Sequence, residues 1–475
     1  MPALQATPGW SPMWLAIAVL FPLLMAAAKM LLRHAAPREE AHRRGAIVRT
    51  PRLTGRRTRR QPQRSSATPL KLGGVALRPE DETRHFKLVG TTGTGKTTAI
   101  RELLRGALSR GDRAVITDPD GGYLARFHDQ YRGDVILNPF ERRSAKWDPF
   151  SEARGPSDYE ELARGLIPQS EDASAREWRG YARTFVSAVV RRCGELGRLD
   201  VAELWRLLAI AGADEVRQIV AGTPAQPFLD PDNARMFGSI RSVAVSASAA
   251  LEHIQSQRAA SFSVRAWIAG GRGVLFMPYR ASQVSALRSI IATWMRLAIF
   301  EAMSQPEDEC RRLWFVADEL DALGAIDGLK DALARLRKFG GRCVLGFQSV
   351  AQVSTTYGAG DAQTVVENCG NTVILRCSGS EHGGTSYFAS RLIGDREIVR
   401  RQTSRGRDRG ALLSPGGLRR STQVSEQLAT EAAVMPSEVE QLPDLAGYLK
   451  TASSPRWVRI HLAPDSGPWR STTSG

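Results

Sequence analysis

The sequence predicts an α/β fold with a mostly parallel sheet, and two observations support this prediction. Short apolar runs recur along the chain, and segments with helical spacing of apolar residues separate most of them. A continuous apolar run is typical of a parallel strand buried on both faces. The runs lie at residues 85–89, 114–117, 135–137, 274–277, 313–317, 343–347 and 372–375. A short strand pair around Gly73 and Gly74 is predicted to precede the first run.

A glycine-rich loop separates the first run from a helix predicted at 99–108. Its residues are Gly90, Thr91, Thr92, Gly93, Thr94, Gly95, Lys96 and Thr97, with Thr98 next in sequence. They fit the pattern G-x-x-x-x-G-K-[ST], whose backbone N–H groups bind phosphate oxygens at a helix N-terminus. Lys96 is expected to contact the β- and γ-phosphates, and the Thr97 hydroxyl to bind Mg²⁺. The alternative is a surface loop, which the strand–loop–helix context disfavours.

A second pattern predicts hydrolysis as well as binding. The buried-strand run 313–317 is followed directly by Asp318 and Glu319. Asp318 is expected to contact the metal, directly or through water, and Glu319 to polarise the attacking water. The alternative is an acidic turn after a buried strand. Together with the glycine-rich loop, the pair predicts a RecA-like P-loop NTPase domain with ATP and Mg²⁺ as cofactors.

One interval, 148–254, interrupts the alternation of strands and helices. Its apolar residues recur at helical spacing, as at Trp178, Tyr181, Phe185 and Val189. We predict an inserted all-α domain here; the alternative is a set of extra helices packed on the sheet. The nucleotide-binding domain is then 69–147 together with 255–465, and a flexible tail follows at 466–475.

The N-terminal 33 residues predict a transmembrane anchor. Residues 10–28 carry no charge, and the apolar run resumes after Lys29. Arginines cluster only after this stretch, so the positive-inside rule leaves the short N-terminus outside and the rest in the cytoplasm. A cleaved signal peptide is disfavoured because its basic region would precede the apolar core. Residues 34–68 are a predicted basic juxtamembrane linker.

Two segments account for most of the net charge of +16. Residues 33–64 hold eleven arginines and two acidic residues, and residues 395–420 hold eight arginines and three acidic residues. Both are expected to be mobile; the alternatives are solvated charge runs, a topology signal for the first segment, or direct contact with DNA. The five cysteines are scattered without C-x-x-C spacing and are expected to be buried, reduced thiols.

From about residue 44 to 462, the chain resembles the type IV secretion coupling proteins of bacterial conjugation, of the TraD/TrwB kind. The likeness lies in a series of short stretches as well as in the two nucleotide motifs. They are Arg44-Gly45-Ala46, Asp118-Pro119-Asp120-Gly121, Ile136-Leu137-Asn138-Pro139 with Trp147, Phe315 to Glu319, Arg337-Lys338-Phe339-Gly340-Gly341, Gly346-Phe347-Gln348, Tyr357-Gly358, Leu442-Pro443-Asp444 and Gly447-Tyr448-Leu449-Lys450.

The resemblance implies roles that spacing alone does not. It implies a membrane-anchored homohexamer with an inserted all-α domain. Arg337 matches an arginine finger that reaches the γ-phosphate of a neighbouring subunit, and Gln348 matches a γ-phosphate sensor. The chain departs from the family pattern in having one predicted membrane helix where two are usual, and in lacking a long acidic tail.

The predicted function is that of a single-pass ATPase of the bacterial inner membrane. It would recruit a relaxase–DNA complex and pump single-stranded DNA into a type IV secretion channel, with relaxosome proteins and inner-membrane secretion components as partners. The basic stretch 396–420 is a hypothesis for DNA contact. Two alternatives remain open: an ATP-dependent recruitment scaffold for secreted protein effectors, and a translocase of double-stranded DNA.

Overall fold

The computed structural model describes residues 40–49, 69–168, 172–380, 383–408 and 419–464. The described chain forms two units, one built from 40–45 and 395–432 and the other from the remaining residues. The predicted anchor, the C-terminal tail and most of the basic linker lie outside the described residues. Within those ranges, no helix is both long and apolar enough to cross a bilayer.

The structure contains strands and helices in alternation over most of its length. The strands are β1 (Glu40–Gly45), β2 (Val48–Arg49), β3 (Lys71–Leu72), β4 (Val75–Ala76), β5 (Phe86–Val89), β6 (Arg113–Pro119), β7 (Val135–Ile136), β8 (Lys146–Trp147), β9 (Ser261–Phe262), β10 (Val274–Tyr279), β11 (Leu313–Ala317), β12 (Gly341–Phe347), β13 (Asn371–Ile374), β14 (Asp395–Asp408), β15 (Arg419–Ala432), β16 (Ala446–Lys450) and β17 (Trp457–His461). The α-helices are α1 (Pro79–Glu82), α2 (Lys96–Ser109), α3 (Leu124–Phe127), α4 (Pro156–Leu166), α5 (Ala173–Glu195), α6 (Val201–Trp205), α7 (Ala213–Ile219), α8 (Ala234–Ala247), α9 (Ala250–Gln255), α10 (Val264–Gly270), α11 (Val284–Ser304), α12 (Leu329–Arg335), α13 (Val350–Tyr357), α14 (Ala359–Asn368), α15 (Gly384–Ile393) and α16 (Pro436–Glu440).

A ten-stranded sheet lies at the centre of the larger unit, in the order β2-β17-β16-β13-β5-β12-β11-β6-β10-β7. The strands from β13 to β7 are all parallel, and they are the strands that the apolar runs predict. On the other side of β13, β16 and β17 pair antiparallel, and β2 pairs parallel with β17. The prediction of an α/β fold with a mostly parallel sheet is confirmed.

The two faces of this sheet pack into separate hydrophobic clusters. Along β11, Trp314 and Val316 belong to the cluster that contains the apolar face of α2. Leu313, Phe315 and Ala317 belong to the cluster that contains α11. Because helices cover both faces, every residue of β11 is buried, which explains its uninterrupted apolar sequence.

The interval 148–254 is helical, and its described residues contain no strand. It holds α4 to α9, with Phe185 of α5 and Phe237 of α8 in edge-to-face contact at 5.3 Å between ring centroids. These helices share one hydrophobic cluster with α11 and a face of the sheet. The inserted all-α domain therefore stays a prediction.

The structure adds to one expectation about the chain and corrects another. The described part of the basic segment at 395–420 is not a simple charge run, because β14 and β15 form a long antiparallel ribbon that also pairs with β1; its mobility stays a prediction. Its β-branched residues, such as Ile398 and Val399, favour strand geometry, which charge counting ignores. Among the cysteines, Cys310 is exposed, whereas the other four are buried and free.

Candidate active site

The glycine-rich loop connects β5 to α2 and is held from two sides. The Gly90 N–H donates to the carbonyl of Phe347 at 3.4 Å, and the Thr91 N–H to that of Arg376 at 2.9 Å. Gly93 and Gly95 have φ angles of 78° and 117°, a left-handed backbone that residues with a side chain rarely adopt. The loop therefore wraps over the start of α2 with its backbone fixed to the strands next to β5.

Lys96, the first residue of α2, is buried within this loop. Its Nζ donates to the carbonyls of Gly90 at 2.6 Å and Thr91 at 3.2 Å. Burial lowers the pKa of Lys96, and the nearby carboxylates of Asp318 and Glu319 oppose this effect. The ammonium group of Lys96 thus contacts only neutral carbonyl oxygens. A phosphate bound in the loop would give it a negatively charged partner.

Asp318 follows β11 and accepts hydrogen bonds from two hydroxyl groups that lie elsewhere in the sequence. The Thr97 hydroxyl donates to Asp318 Oδ2 at 2.7 Å, and the Tyr123 hydroxyl donates to the same atom at 2.8 Å. The second oxygen, Oδ1, is buried and has no hydrogen-bond partner. A buried carboxylate oxygen without a donor needs a cation to offset its desolvation, and hydroxyl and carboxylate oxygens suit Mg²⁺. The residues present fit this metal.

Glu319 and Gln348 form a second polar pair beside Asp318. They follow the neighbouring parallel strands β11 and β12, and Gln348 Nε2 donates to Glu319 Oε1 at 3.1 Å. Burial raises the pKa of Glu319; the hydrogen bond from Gln348 lowers it and the charge of Asp318 raises it further. A carboxylate with a raised pKa is better matched to accepting a proton near neutral pH.

The remaining residues of the loop differ in their surroundings. The Thr94 hydroxyl donates to the Thr91 carbonyl at 2.8 Å and so closes the loop on itself. Thr92 is exposed, and Thr98 is half-buried on α2. Lys96, Thr97, Asp318, Glu319 and Gln348 all lie where β5, β11 and β12 end, because adjacent parallel strands end at one edge of a sheet.

Arg337 is the one predicted site residue that does not join this group. It lies in a 3₁₀-helix, Leu336–Phe339, that precedes β12, whereas the site residues follow the strands. β12 has seven residues and therefore spans about 23 Å. Arg337 thus lies at the opposite edge of the sheet from the phosphate loop of its own chain.

Two further residues shape the site, and no local sequence pattern indicates a role for either. Tyr123 is buried, and its backbone N–H donates to Asp118 Oδ1 at 2.9 Å, which fixes the turn that directs its hydroxyl at Asp318. A Cβ at Gly346 would lie 2.2 Å from the Asp318 carbonyl oxygen, so only glycine allows β12 to approach this close. The stretches 118–121 and 346–348 contribute to the family resemblance, and they were the available signal.

The parallel sheet, the glycine-rich loop and the carboxylates after β11 define a P-loop NTPase fold. Residues 69–463 match the family model described as the type IV secretion-system coupling protein DNA-binding domain. The chain therefore belongs to the type IV secretion-system coupling proteins.

Individual relatives agree with this assignment. The chain is 28% identical to the coupling protein TraD of Escherichia coli strain K12 over 408 residues, which are 84% of this chain and 55% of TraD. It therefore spans about half the length of that relative. The plasmid coupling protein TrwB in complex with ADP and Mg²⁺ is 30% identical, with a TM-score of 0.74 over 86% of this chain and 91% of that one. TrwB in complex with the non-hydrolysable ATP analogue ADPNP has a TM-score of 0.77 at 30% identity, over 91% and 96% of the two chains.

Proposed function

We propose that the chain is an ATP-hydrolysing motor that couples single-stranded DNA, carried by a relaxase, to a type IV secretion channel. The observation that carries the proposal is the convergence of Thr97, Asp318, Glu319 and Gln348 beside the phosphate loop. A site for binding alone needs no carboxylate positioned to accept a proton. Membership of the coupling protein family and the nucleotide complexes of TrwB support it.

The roles of the side chains follow from their contacts. Lys96 would exchange the carbonyls of Gly90 and Thr91 for phosphate oxygens, which are better partners for an ammonium group. Thr97 and the unpartnered oxygen of Asp318 would hold Mg²⁺, which neutralises phosphate charge when bound. Glu319 would accept the proton of the attacking water, with Gln348 fixing its orientation.

The position of Arg337 supports an assembly in which sites are shared. An arginine about 23 Å along the sheet from its own phosphate loop cannot stabilise charge there. It can do so only in another copy of the chain. We propose a homohexameric ring in which Arg337 of one subunit completes the site of the next.

The location and partners are proposed on other grounds. The apolar residues 10–28 and the arginines after them support a single-pass anchor in the inner membrane, with the ATPase in the cytoplasm. The family assignment supports DNA, relaxosome proteins and inner-membrane secretion components as partners. Among the described residues, nothing in particular favours the scaffold or double-stranded DNA alternatives.

The test is ATP hydrolysis by the full chain in lipid nanodiscs, with no DNA, single-stranded DNA or double-stranded DNA. We expect single-stranded DNA to stimulate hydrolysis. Lys96→Ala should lower the rate at least about a hundred-fold, since it removes a charged phosphate contact from a buried site. Lys71→Ala, at an exposed lysine on β3, is the matched control and should leave the rate unchanged.

Three results would contradict the proposed activity. Hydrolysis that survives Lys96→Ala would refute the assigned site. Nucleotide binding without DNA-stimulated turnover would favour the scaffold, and stimulation by double-stranded DNA alone would favour the duplex translocase.

A further inference from the structure

The ribbon formed by β14 and β15 has an uneven distribution of charge along its length. In its inner half, 395–400 and 426–432, two arginines face four acidic residues. Arg396 and Arg400 both pair with Glu431 there, each at 2.7 Å. In its outer half, 401–408 and 419–425, the sequence has five arginines and one acidic residue. Of these, Arg401 pairs with Glu426 at 2.8 Å. The inner half thus has an excess of two acidic residues, and the cationic charge belongs to the outer half.

The register of β1 gives the direction of the ribbon relative to the N-terminal segment. Gly45 lies opposite Arg396 and Glu40 opposite Arg400, so β14 runs back toward the start of β1. Beyond Arg400, β14 continues for eight residues, which is about 27 Å. The predicted anchor ends at residue 33, seven residues before Glu40, so this connection spans at most about 25 Å. The part of β14 beyond Arg400 is therefore at least as long as the segment between the predicted anchor and Glu40.

Two apolar side chains are exposed on the described part of the ribbon. Val424 and Leu428 of β15 are 58% and 54% exposed. Since they are four residues apart on one strand, they share a face of the ribbon, and Val399 lies opposite Leu428 on that face. Exposed valine and leucine on a strand pair whose sequence is rich in arginine are typical of an element that lies in a membrane interface.

We propose that the outer half of the ribbon binds anionic phospholipid headgroups at the cytoplasmic surface and forms a second attachment to the membrane. The proposal rests on the N-terminal anchor proposed above. Single-stranded DNA is the other polyanion available, but binding of single strands relies on aromatic side chains that stack on bases. Neither β14 nor β15 contains an aromatic residue. The tether through β1 and the composition of the strands both favour lipid.

The test uses the full chain in nanodiscs of phosphatidylcholine alone or with phosphatidylglycerol. In a Cys310→Ser background, which removes the exposed thiol, Ser425→Cys carries an environment-sensitive fluorophore on the exposed part of β15. A headgroup-attached quencher reports its proximity to the bilayer. The charge variant is Arg405→Gln, Arg407→Gln, Arg419→Gln and Arg420→Gln. The matched control changes four exposed arginines of the other unit, Arg142, Arg235, Arg258 and Arg456, to Gln.

We expect quenching to be at least about two-fold stronger with anionic lipid. It should fall to the phosphatidylcholine level in the charge variant and stay unchanged in the matched control, because each cation near an anionic surface strengthens attachment about five-fold. Equal quenching in both lipids would overturn the proposal. So would a fluorescence change caused by single-stranded oligonucleotide and lost in the charge variant, since that would assign the ribbon to DNA. Failure of the anchor is distinguishable, because the whole chain would then be released by alkaline extraction.

Discussion

The hydrogen bond between Gln348 and Glu319 stabilises the ionised form of the carboxylate that is proposed to accept the proton of water. Gln348→Met keeps an unbranched side chain of similar length but removes the N–H that donates to Glu319 Oε1 at 3.1 Å. A hydrogen bond to a charged group contributes about 1.5–3 kcal/mol. Glu319 is only partly buried and water replaces part of the loss, so we take about half, or about 0.8–1.5 kcal/mol, which is about 0.5–1 pKa unit.

Gln348 stabilises the ionised carboxylate, so its loss raises the pKa of Glu319. Only the ionised form accepts a proton from water. The acidic limb of the pH–rate profile should therefore move up by about 0.5–1 unit in the variant.

The assay is steady-state ATP hydrolysis at saturating Mg²⁺ and ATP from about pH 5 to pH 9. At the alkaline end Glu319 is ionised in both proteins, so the ratio of rates there reports separately on the proposed role of Gln348 as a γ-phosphate sensor. Gln363→Met is the matched control, since Gln363 donates to Glu367 at 2.7 Å on the exposed surface of α14. An acidic limb that coincides with that of the parent chain would refute the assignment of Glu319 as the base.

Three further predictions concern the residues around Asp318. Gly346→Ala should lower the hydrolysis rate at least about ten-fold and destabilise the fold by about 1–3 kcal/mol in urea, because its Cβ would displace the Asp318 carbonyl; unchanged kinetics would contradict the close approach. Tyr123→Phe removes a donor to Asp318 and should cost about 1–2 kcal/mol of unfolding free energy, and a loss below about 0.5 kcal/mol would show that the bond is not maintained. Burial raises the pKa of Asp118 from 3.8 to about 6, so the folded state binds this proton more tightly than the unfolded chain, and the contribution of Asp118 to stability falls as the pH rises from about 4 to 6. Asp118→Asn should therefore flatten the dependence of the melting temperature on pH in that window, and an unaltered slope would contradict the shift.

The parallel part of the fold could be predicted because its cause is local in sequence. Strands covered by helices on both faces must be apolar at every position, so β10, β11 and β12 appear as uninterrupted runs. The phosphate loop and Asp318 could be placed for the same reason, since each follows such a run directly. Their convergence then follows from the geometry of parallel strands.

Other parts of the site depend on contacts that no local pattern contains. Whether the hydroxyl of Tyr123 reaches Asp318 depends on the turn set by Asp118. The need for glycine at 346 depends on how closely β12 approaches the backbone at Asp318. The ribbon of β14 and β15 was missed for a different reason. Its arginines dominate the composition, while its strand geometry is stabilised by cross-strand pairing over 14 residues.

The placement of β12 has a consequence for how neighbouring nucleotide sites in a ring of these chains would be coupled. Arg337 lies just before this strand and Gln348 just after it, so one strand joins the arginine that we propose reaches the next subunit to the glutamine beside the subunit's own Glu319. A strand has a direction, and the two ends of β12 are not equivalent. In the proposed hexamer, a change at Gln348 that follows hydrolysis would therefore reach the next subunit's site through Arg337. Because coupling between two sites is reciprocal, β12 would also carry the state of that neighbouring site back to Glu319.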